Sequence, residues 1–143
     1  MAAPNTEPVY SRVGDIQWAE SITAANTTID ITTGTSYLVF TADATNGGFV
    51  SRVIVKANPS ANTAATVVRL WLNNGSTTGT AANSALVAEQ GIPATTASST
   101  AALPDFTIPL NMALPAGYKI YLTIGTAPGG SGEFTATAIG GKY

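Results

Sequence analysis

Cysteine and histidine are both absent from the 143 residues of this chain. The protein therefore has no disulfide bond, no Cys/His zinc site, no thiol nucleophile and no histidine acid–base catalyst. Charged residues make up only 10% of the sequence, against about 25% in a typical soluble protein. No run of about 18 apolar residues occurs, so the sequence predicts no transmembrane helix. These absences exclude many functions and indicate none.

The scarcity of charged residues means that the surface of the protein consists largely of neutral side chains. With a formal net charge of −2 and six basic residues, the chain lacks the basic face that nucleic-acid binding requires, and we expect neither a nucleic-acid nor a membrane partner. Two explanations compete. Either hydroxyls and amides alone keep a neutral surface soluble, or much of the surface is covered by copies of the chain or by a larger assembly. We favour the second explanation, because permanently buried interfaces lose charged residues at their centres.

The first 15 residues differ from the rest. They show no sustained periodicity, and Pro4 and Pro8 favour an extended path. We therefore interpret residues 1–15 as an extended N-terminal arm and residues 16–143 as a single domain. The arm is either a disordered leader or a segment that becomes ordered on a neighbouring subunit. It has no basic start and no apolar stretch, so we do not expect a secretory signal.

From Ile16 onward the chain consists of short apolar runs separated by turn residues, which predicts nine strands. They are Ile16–Ile22, Thr27–Thr32, Tyr37–Thr41, Phe49–Ala57, Thr66–Asn73, Leu86–Ile92, Phe106–Leu110, Tyr118–Ile124 and Phe134–Ile139. No segment carries apolar residues at helical spacing. Long polar connections at 76–84 and 94–102 favour a Greek-key or jelly-roll path. The sequence thus predicts an all-β protein, an antiparallel β-sandwich of jelly-roll type.

Alternation within the strands predicts which side chains face inward. In Thr66–Asn73, Val68, Leu70 and Leu72 lie on one face. In Phe49–Ala57, Phe49, Ser51, Val53 and Val55 share one face, and Val50, Arg52, Ile54 and Lys56 share the other. Asn46-Gly47-Gly48, just before that strand, is the strongest hairpin signal in the chain.

Catalytic chemistry finds little support in the residues. The carboxylates are scattered, and no local motif pairs two of them as a glycosidase requires. Asp43, near Asn46 and Gly47, lacks the further acidic ligands of a calcium loop. The glycine-rich segment 129–132 ends in Glu133 and precedes a strand, so it is not a phosphate-binding loop. We therefore expect no enzymatic activity, no catalytic residue, no metal site and no cofactor.

Two aromatic residues have more than one interpretation. Trp71 and Tyr121 lie on strand faces that also carry Arg69 and Lys119, and such faces point outward or into an interface. They are either a second buried face beneath a loop, a subunit contact, or a platform for stacking on sugar. Trp18 follows the arm directly, and we expect it to close one end of the sandwich.

Most of residues 35–143 carries a resemblance to a known class of proteins. The segments are TSYLVFTADATNGGFVSRVIVKA, TVVRLWLNNG, LPDFTIPLNMALPAGYKIYLTIGTA and the closing AIGGKY. They resemble small structural proteins of tailed-bacteriophage virions, in particular head decoration (cement) proteins. The shared motifs are packing and turn motifs, and no catalytic residue is transferred with them.

The resemblance implies a function and partners. A decoration protein of this kind forms jelly-roll or β-sandwich trimers on the outer capsid and clamps neighbouring major capsid subunits. The expected partners are thus the major capsid protein and two further copies of the chain, and the expected location is the capsid surface after assembly in the host cytoplasm. The alternative is a tail- or fibre-associated module that recognises host glycan. The expected interface residues are Val9, Tyr10 and Arg12 of the arm, with Arg69, Trp71 and Tyr121 of the domain.

Overall fold

A computed structural model describes residues 11–143, and these residues form eight β-strands and one short 3₁₀ turn. The strands are β1 (Val13–Ile22), β2 (Tyr37–Thr41), β3 (Gly48–Ala57), β4 (Thr66–Asn73), β5 (Ser84–Ile92), β6 (Asp105–Leu114), β7 (Lys119–Ile124) and β8 (Phe134–Lys142), with the 3₁₀ turn at Ala81–Asn83. Within this part of the chain no helix has the length and apolar character needed to cross a membrane.

The strands form two four-stranded antiparallel sheets. Sheet A has the order β1-β8-β3-β6, and sheet B has the order β2-β7-β4-β5. The first strand pairs with the last, the second with the seventh, the third with the sixth and the fourth with the fifth. This is the path of a long hairpin wrapped into two sheets, which defines a jelly roll. The predicted all-β antiparallel sandwich of jelly-roll type is confirmed.

The core lies between the two sheets and follows the predicted alternation in most strands. Val68 and Leu70 of β4 are fully buried, and so are Ile120, Leu122 and Ile124 of β7. Phe40 of β2 completes the core face of sheet B. Sheet A faces them with mostly small and branched side chains and one large aromatic ring, and its fully buried residues include Val53, Val55, Phe134, Ala136 and Ala138. Each strand therefore presents one face to the core and leaves the other for solvent or for partners.

Strand β3 departs from strict alternation. The pairing of β3 with both neighbours shifts between Val50 and Arg52, which marks a β-bulge at Ser51. A bulge adds one residue and turns the side chains that follow it to the opposite face. Val50 and Val53 consequently both lie in the core, fully buried. The prediction that they face opposite ways was wrong, because the sequence pattern assumed an unbroken strand.

Two further predictions are corrected. Segment 27–32 forms no strand and belongs to the connection between β1 and β2. Trp18 does not close the end of the sandwich, since it is 58% exposed on the outer face of β1.

Strand β1 begins at Val13, three residues before the boundary expected between arm and domain, and Val13, Gly14 and Asp15 pair with the end of β8.

Candidate interaction surface on sheet B

Four large side chains lie side by side across the outer face of sheet B, one from each strand. Leu38 of β2 pairs with Tyr121 of β7, Tyr121 pairs with Trp71 of β4, and Trp71 pairs with Leu86 of β5. Directly paired residues of antiparallel strands point to the same face. Leu38 and Leu86 are 45% and 44% exposed, and the two aromatic rings between them are half-buried. We call these four residues the apolar row.

A bulge places the last member of the row. Leu70 pairs with Ala88, but the next residue, Trp71, pairs with Leu86. Val87 is therefore the extra residue of a bulge in β5. Without it, Val87 would stand opposite Trp71, and Leu86 would point inward. The irregularity of this edge strand thus extends the apolar row to the full width of the sheet.

The indole of Trp71 is held in place by one hydrogen bond. Its Nε1–H donates to the Oγ1 of Thr123 at 3.1 Å, and Thr123 is only 2% exposed although it lies on the outer side of β7. The polar end of the indole is satisfied within the sheet, so its apolar face is available for contact. A ring fixed in this way loses little conformational entropy when it binds a partner.

An ion pair borders the row on one side. Arg69 Nε lies 2.7 Å from Glu89 Oε1 across the pairing of β4 and β5. The Arg69 side chain is 12% exposed and that of Glu89 is 50% exposed. Because half of the Glu89 side chain is in contact with solvent, the pair adds only modest stability. The charges of Arg69 and Glu89 thus balance each other, whereas Lys119, two residues before Tyr121, borders the row without an ion pair among the described residues.

An open cleft of about 530 Å³ lies beside the apolar row, and Arg69 forms part of its wall. Its wall includes Asn26, Thr27 and Ile29 of the β1–β2 connection and Thr66 and Thr126 beside sheet B. Ile29 is 62% exposed and has a φ of 58°. That backbone region is unfavourable for a β-branched residue, so the rest of the connection must hold Ile29 in place.

Asn26 organises this connection. Its side chain is buried, and its Nδ2 donates to the carbonyl oxygens of Asp30 at 2.7 Å and Thr33 at 3.0 Å. Its backbone N–H donates to the carbonyl of Ile124 at 2.7 Å, which ties the connection to β7. These bonds replace the strand pairing expected of segment 27–32, because Asn side chains compete for the backbone groups that a sheet would use.

Asp30 fixes the same turn from its other side. Its Oδ1 accepts the backbone N–H of Thr33 at 2.8 Å and the hydroxyl of Thr32 at 3.0 Å. The Thr33 N–H is the main reason why the pKa of Asp30 lies below its usual value. The connection is therefore a preorganised loop that displays Ile29 beside the cleft.

The predicted interface residues divide into three groups. The structure brings Arg69, Trp71 and Tyr121 together on sheet B, on or beside the apolar row. Arg12 lies instead just before β1 of sheet A, where its backbone N–H donates to the Lys142 carbonyl at 2.7 Å. Val9 and Tyr10 lie outside the described residues.

Sequence reasoning missed the other members of this surface. Leu38 and Leu86 both stand next to bulges, which break the alternation that reveals an outward side chain. Ile29 was assigned to a strand that does not form. The sequence signal for this loop is Asn26, because asparagine side chains often bind backbone groups in loops.

In residues 11–143 no three Asp or Glu side chains converge as a metal site would need. Comparison of the chain with protein-family models, with curated proteins and with solved structures found no match.

Proposed function

We propose that this protein is a bacteriophage head decoration protein, which binds the outer surface of the major capsid lattice as a homotrimer and stabilises the head. The observation that carries the proposal is the apolar row Leu38–Tyr121–Trp71–Leu86 on sheet B. Decoration requires a rigid protein with a permanent contact surface and no reacting groups, and the row supplies such a surface.

The composition of the row is that of a protein interface. Tyrosine, tryptophan and leucine occupy it, and Arg69 and Glu89 on one side of it are paired with each other. Lys119, two residues before Tyr121 on the same face, is a second bordering charge and forms no ion pair among the described residues. Interface centres are enriched in aromatic residues and depleted of unpaired charge. Four strands at about 4.8 Å spacing make the row about 15 Å wide, which suits the centre of a contact of standard size.

The fold supports the proposal only indirectly. Jelly rolls occur in viral capsid proteins, lectins and cupins, so the architecture is compatible with several functions. The low charge of the whole chain agrees better with a subunit that is covered in its working state. Many copies on one lattice would turn modest single contacts into firm attachment through effective concentration.

The apolar row is tested by making one exposed position charged. Leu86→Asp leaves the core intact and should abolish binding of the protein to expanded capsids in a co-sedimentation assay. Thr107→Asp, at an exposed position on the outer face of β6, adds the same charge on sheet A and serves as the matched control. Equal binding of both variants would show that the row is not the contact surface.

Location and arm are tested separately. Electron microscopy of the virion should place the protein on the head, and heating should release DNA at a lower temperature from virions that lack it. Deleting residues 1–10 leaves β1 whole, because that strand begins at Val13. If Val9 and Tyr10 anchor the arm on a neighbouring chain, the truncated protein binds capsids more weakly.

A glycan-binding module of the tail or fibre is the second candidate. The cleft beside Arg69 favours it, because Thr27 and Thr126 carry hydroxyl groups in a space that adjoins β4, the strand of Trp71. Trp71 does not line the cleft, but it lies two residues beyond Arg69 on the same face of β4 and offers a ring of the kind on which sugars stack. Location at the tail, together with loss of glycan binding in Thr126→Val and unchanged capsid binding, would favour this candidate over the first.

A further inference from the structure

Strand β1 is a free edge whose pairing with β8 is regular over seven residues and shifts only near its end, between Ala19 and Ile22. It lies at the end of sheet A, and its pairing with β8 is unbroken from Val13 to Ala19. The other edges are shorter or interrupted: β2 has five residues, β5 carries the bulge at Val87, and β6 contains Pro109. Natural sheets usually protect their edges with such features. Between Val13 and Ala19, β1 has neither a proline, nor a lysine, nor a bulge.

The outward side chains of β1 form an ordered series. Gly14, Ile16 and Trp18 lie on the outer face within the regular stretch. Arg12 precedes the strand and Glu20 follows the regular stretch, each two residues further along, and all five are exposed. Ile16 and Trp18 are each 58% exposed, which is unusual for side chains of this size. Among the described residues, neither Arg12 nor Glu20 forms an ion pair. The series is thus apolar in the middle, basic at one end and acidic at the other.

We propose that two copies of this chain pair through β1, antiparallel, about a two-fold axis at Ile16. Ile16 then faces Ile16 of the second copy, Trp18 faces Gly14, and Glu20 faces Arg12. The pairing joins the two A sheets into one continuous sheet of eight strands. It follows from the edge and its side chains, and it does not depend on the capsid role.

The charges select this register. Side chains of the same face stand opposite each other only when the two-fold axis passes through a residue, and not between two residues. An axis at Gln17 places Glu20 opposite Gly14, and an axis at Trp18 places Glu20 opposite Ile16. Only the axis at Ile16 sets opposite charges against each other at both ends, which stabilises cross-strand pairs.

Two local features fit the same register. A Cβ built at Gly14 meets no atom within 4 Å, so the space above this glycine is open to a facing indole. An aromatic ring across from a strand glycine is a recurring stabilising pair. Trp18 Nε1 donates to Glu20 Oε1 at 2.7 Å, which orients the carboxylate and leaves its other oxygen for the guanidinium of the second copy.

A two-fold pair cannot grow into a filament, because each copy has one β1 edge and that edge is covered by its partner. On its own this contact gives a dimer. In a protein that also forms trimers through another face, it would join one trimer to the next. In both cases, strand β1 of one copy pairs with strand β1 of the other.

Single cysteines test the register, because the natural chain has none. Ile16→Cys places the two thiols directly opposite each other, within the Cα separation of about 4.4–6.8 Å that a disulfide spans. Mild oxidation should convert most of this variant to a covalent dimer. Val13→Cys, 59% exposed in the parent chain, is the control: the two residues 13 would lie about 20 Å apart. Cross-linking of Trp18→Cys instead of Ile16→Cys, or of none, overturns the proposal.

Charge reversal tests the same pairing without cross-links. Arg12→Glu and Glu20→Arg should each weaken the dimer about tenfold in sedimentation analysis, since like charges then face each other at both ends. The double variant restores opposite charges and should recover the parent affinity. Unfolding curves of all variants check that the monomer is unchanged. If the double variant is no tighter than the single ones, Arg12 and Glu20 do not face each other and the proposed register is wrong.

Discussion

The side-chain amide of Gln17 binds both backbone groups of Thr41. Its Nε2 donates to the Thr41 carbonyl, and its Oε1 accepts the Thr41 N–H, each at 2.9 Å. Gln17 belongs to β1 of sheet A and Thr41 to β2 of sheet B. The amide thus replaces one step of strand pairing where the chain passes from one sheet to the other. It closes the side of the sandwich that contains β1.

We expect Gln17→Met to lower the free energy of unfolding by about 1–3 kcal/mol, because it leaves both backbone groups of Thr41 without this partner. Methionine keeps the length of the side chain and removes only the amide. Urea unfolding measures the effect. Gln90→Met removes an amide that bonds only the adjacent Gly91 carbonyl and should change stability by less than about 0.5 kcal/mol. If both changes lower stability equally, the hydrogen bonds between Gln17 and Thr41 do not contribute specifically to stability.

The Asn26 loop gives a second stability prediction. Asn26→Asp keeps the size of the side chain but loses the amide protons that bind the carbonyls of Asp30 and Thr33. Each buried group left without a partner costs about 1–3 kcal/mol, so we expect a loss of at least about 2 kcal/mol and faster proteolysis between residues 23 and 36. Asn83→Asp, which removes an exposed amide bond to Thr77, is the matched control. Unchanged proteolysis would show that Asn26 does not hold the loop.

The fold was predictable because most of its strands obey a local rule. Alternation in β4 correctly identified Val68 and Leu70 as buried side chains. Two failures have physical causes. Segment 27–32 has β-forming residues, but the Asn26 amide binds the carbonyls of Asp30 and Thr33 and holds the segment in a loop. The signal Asn46-Gly47-Gly48 marks a real turn, yet it joins β2 of sheet B to β3 of sheet A, which do not pair.

The candidate surface was only half predictable for the same reason. Trp71 and Tyr121 lie in strands without an interruption between them, so their outward direction could be inferred. Leu38 and Leu86 stand next to bulges, whose positions depend on how neighbouring strands fit and not on the local sequence. That these four residues are neighbours depends on strand order, which is a non-local property of the jelly roll.

Strand β8 contains a glycine that its neighbour requires. A Cβ at Gly140 would collide with the backbone carbonyl oxygen of Phe49 in β3. Backbone cannot rotate away as a flexible side chain can, so Gly140→Ala should destabilise the protein by about 1–3 kcal/mol. Gly91→Ala in β5, where a Cβ meets nothing within 4 Å, should be neutral or slightly stabilising. Thermal unfolding of both variants decides, and equal melting temperatures would contradict the close approach.

Acid sensitivity should arise in part from the turn before β3. Asp43 Oδ1 accepts the backbone N–H of Asn46 at 2.8 Å and of Thr45 at 2.9 Å. These bonds favour the charged carboxylate, the Asn46 bond most, and they hold the pKa of Asp43 below its ordinary value of 3.8. A carboxyl group whose pKa is lower in the folded protein stabilises the fold at pH values above its unfolded pKa, and this contribution disappears as the pH falls through the folded pKa.

We therefore expect stability to decline below about pH 4, and Asp43→Asn to make that decline shallower. Asparagine retains an oxygen that accepts the same two N–H bonds, but it does not titrate, so the turn persists while the proton linkage is removed. The same argument applies to Asp30, whose pKa is also lowered, so the double variant Asp30→Asn/Asp43→Asn should be the least sensitive to acid. Urea unfolding at a series of pH values from 7 to 3 measures the slopes. Parallel curves for the parent and both variants would mean that these two turns do not contribute to acid unfolding.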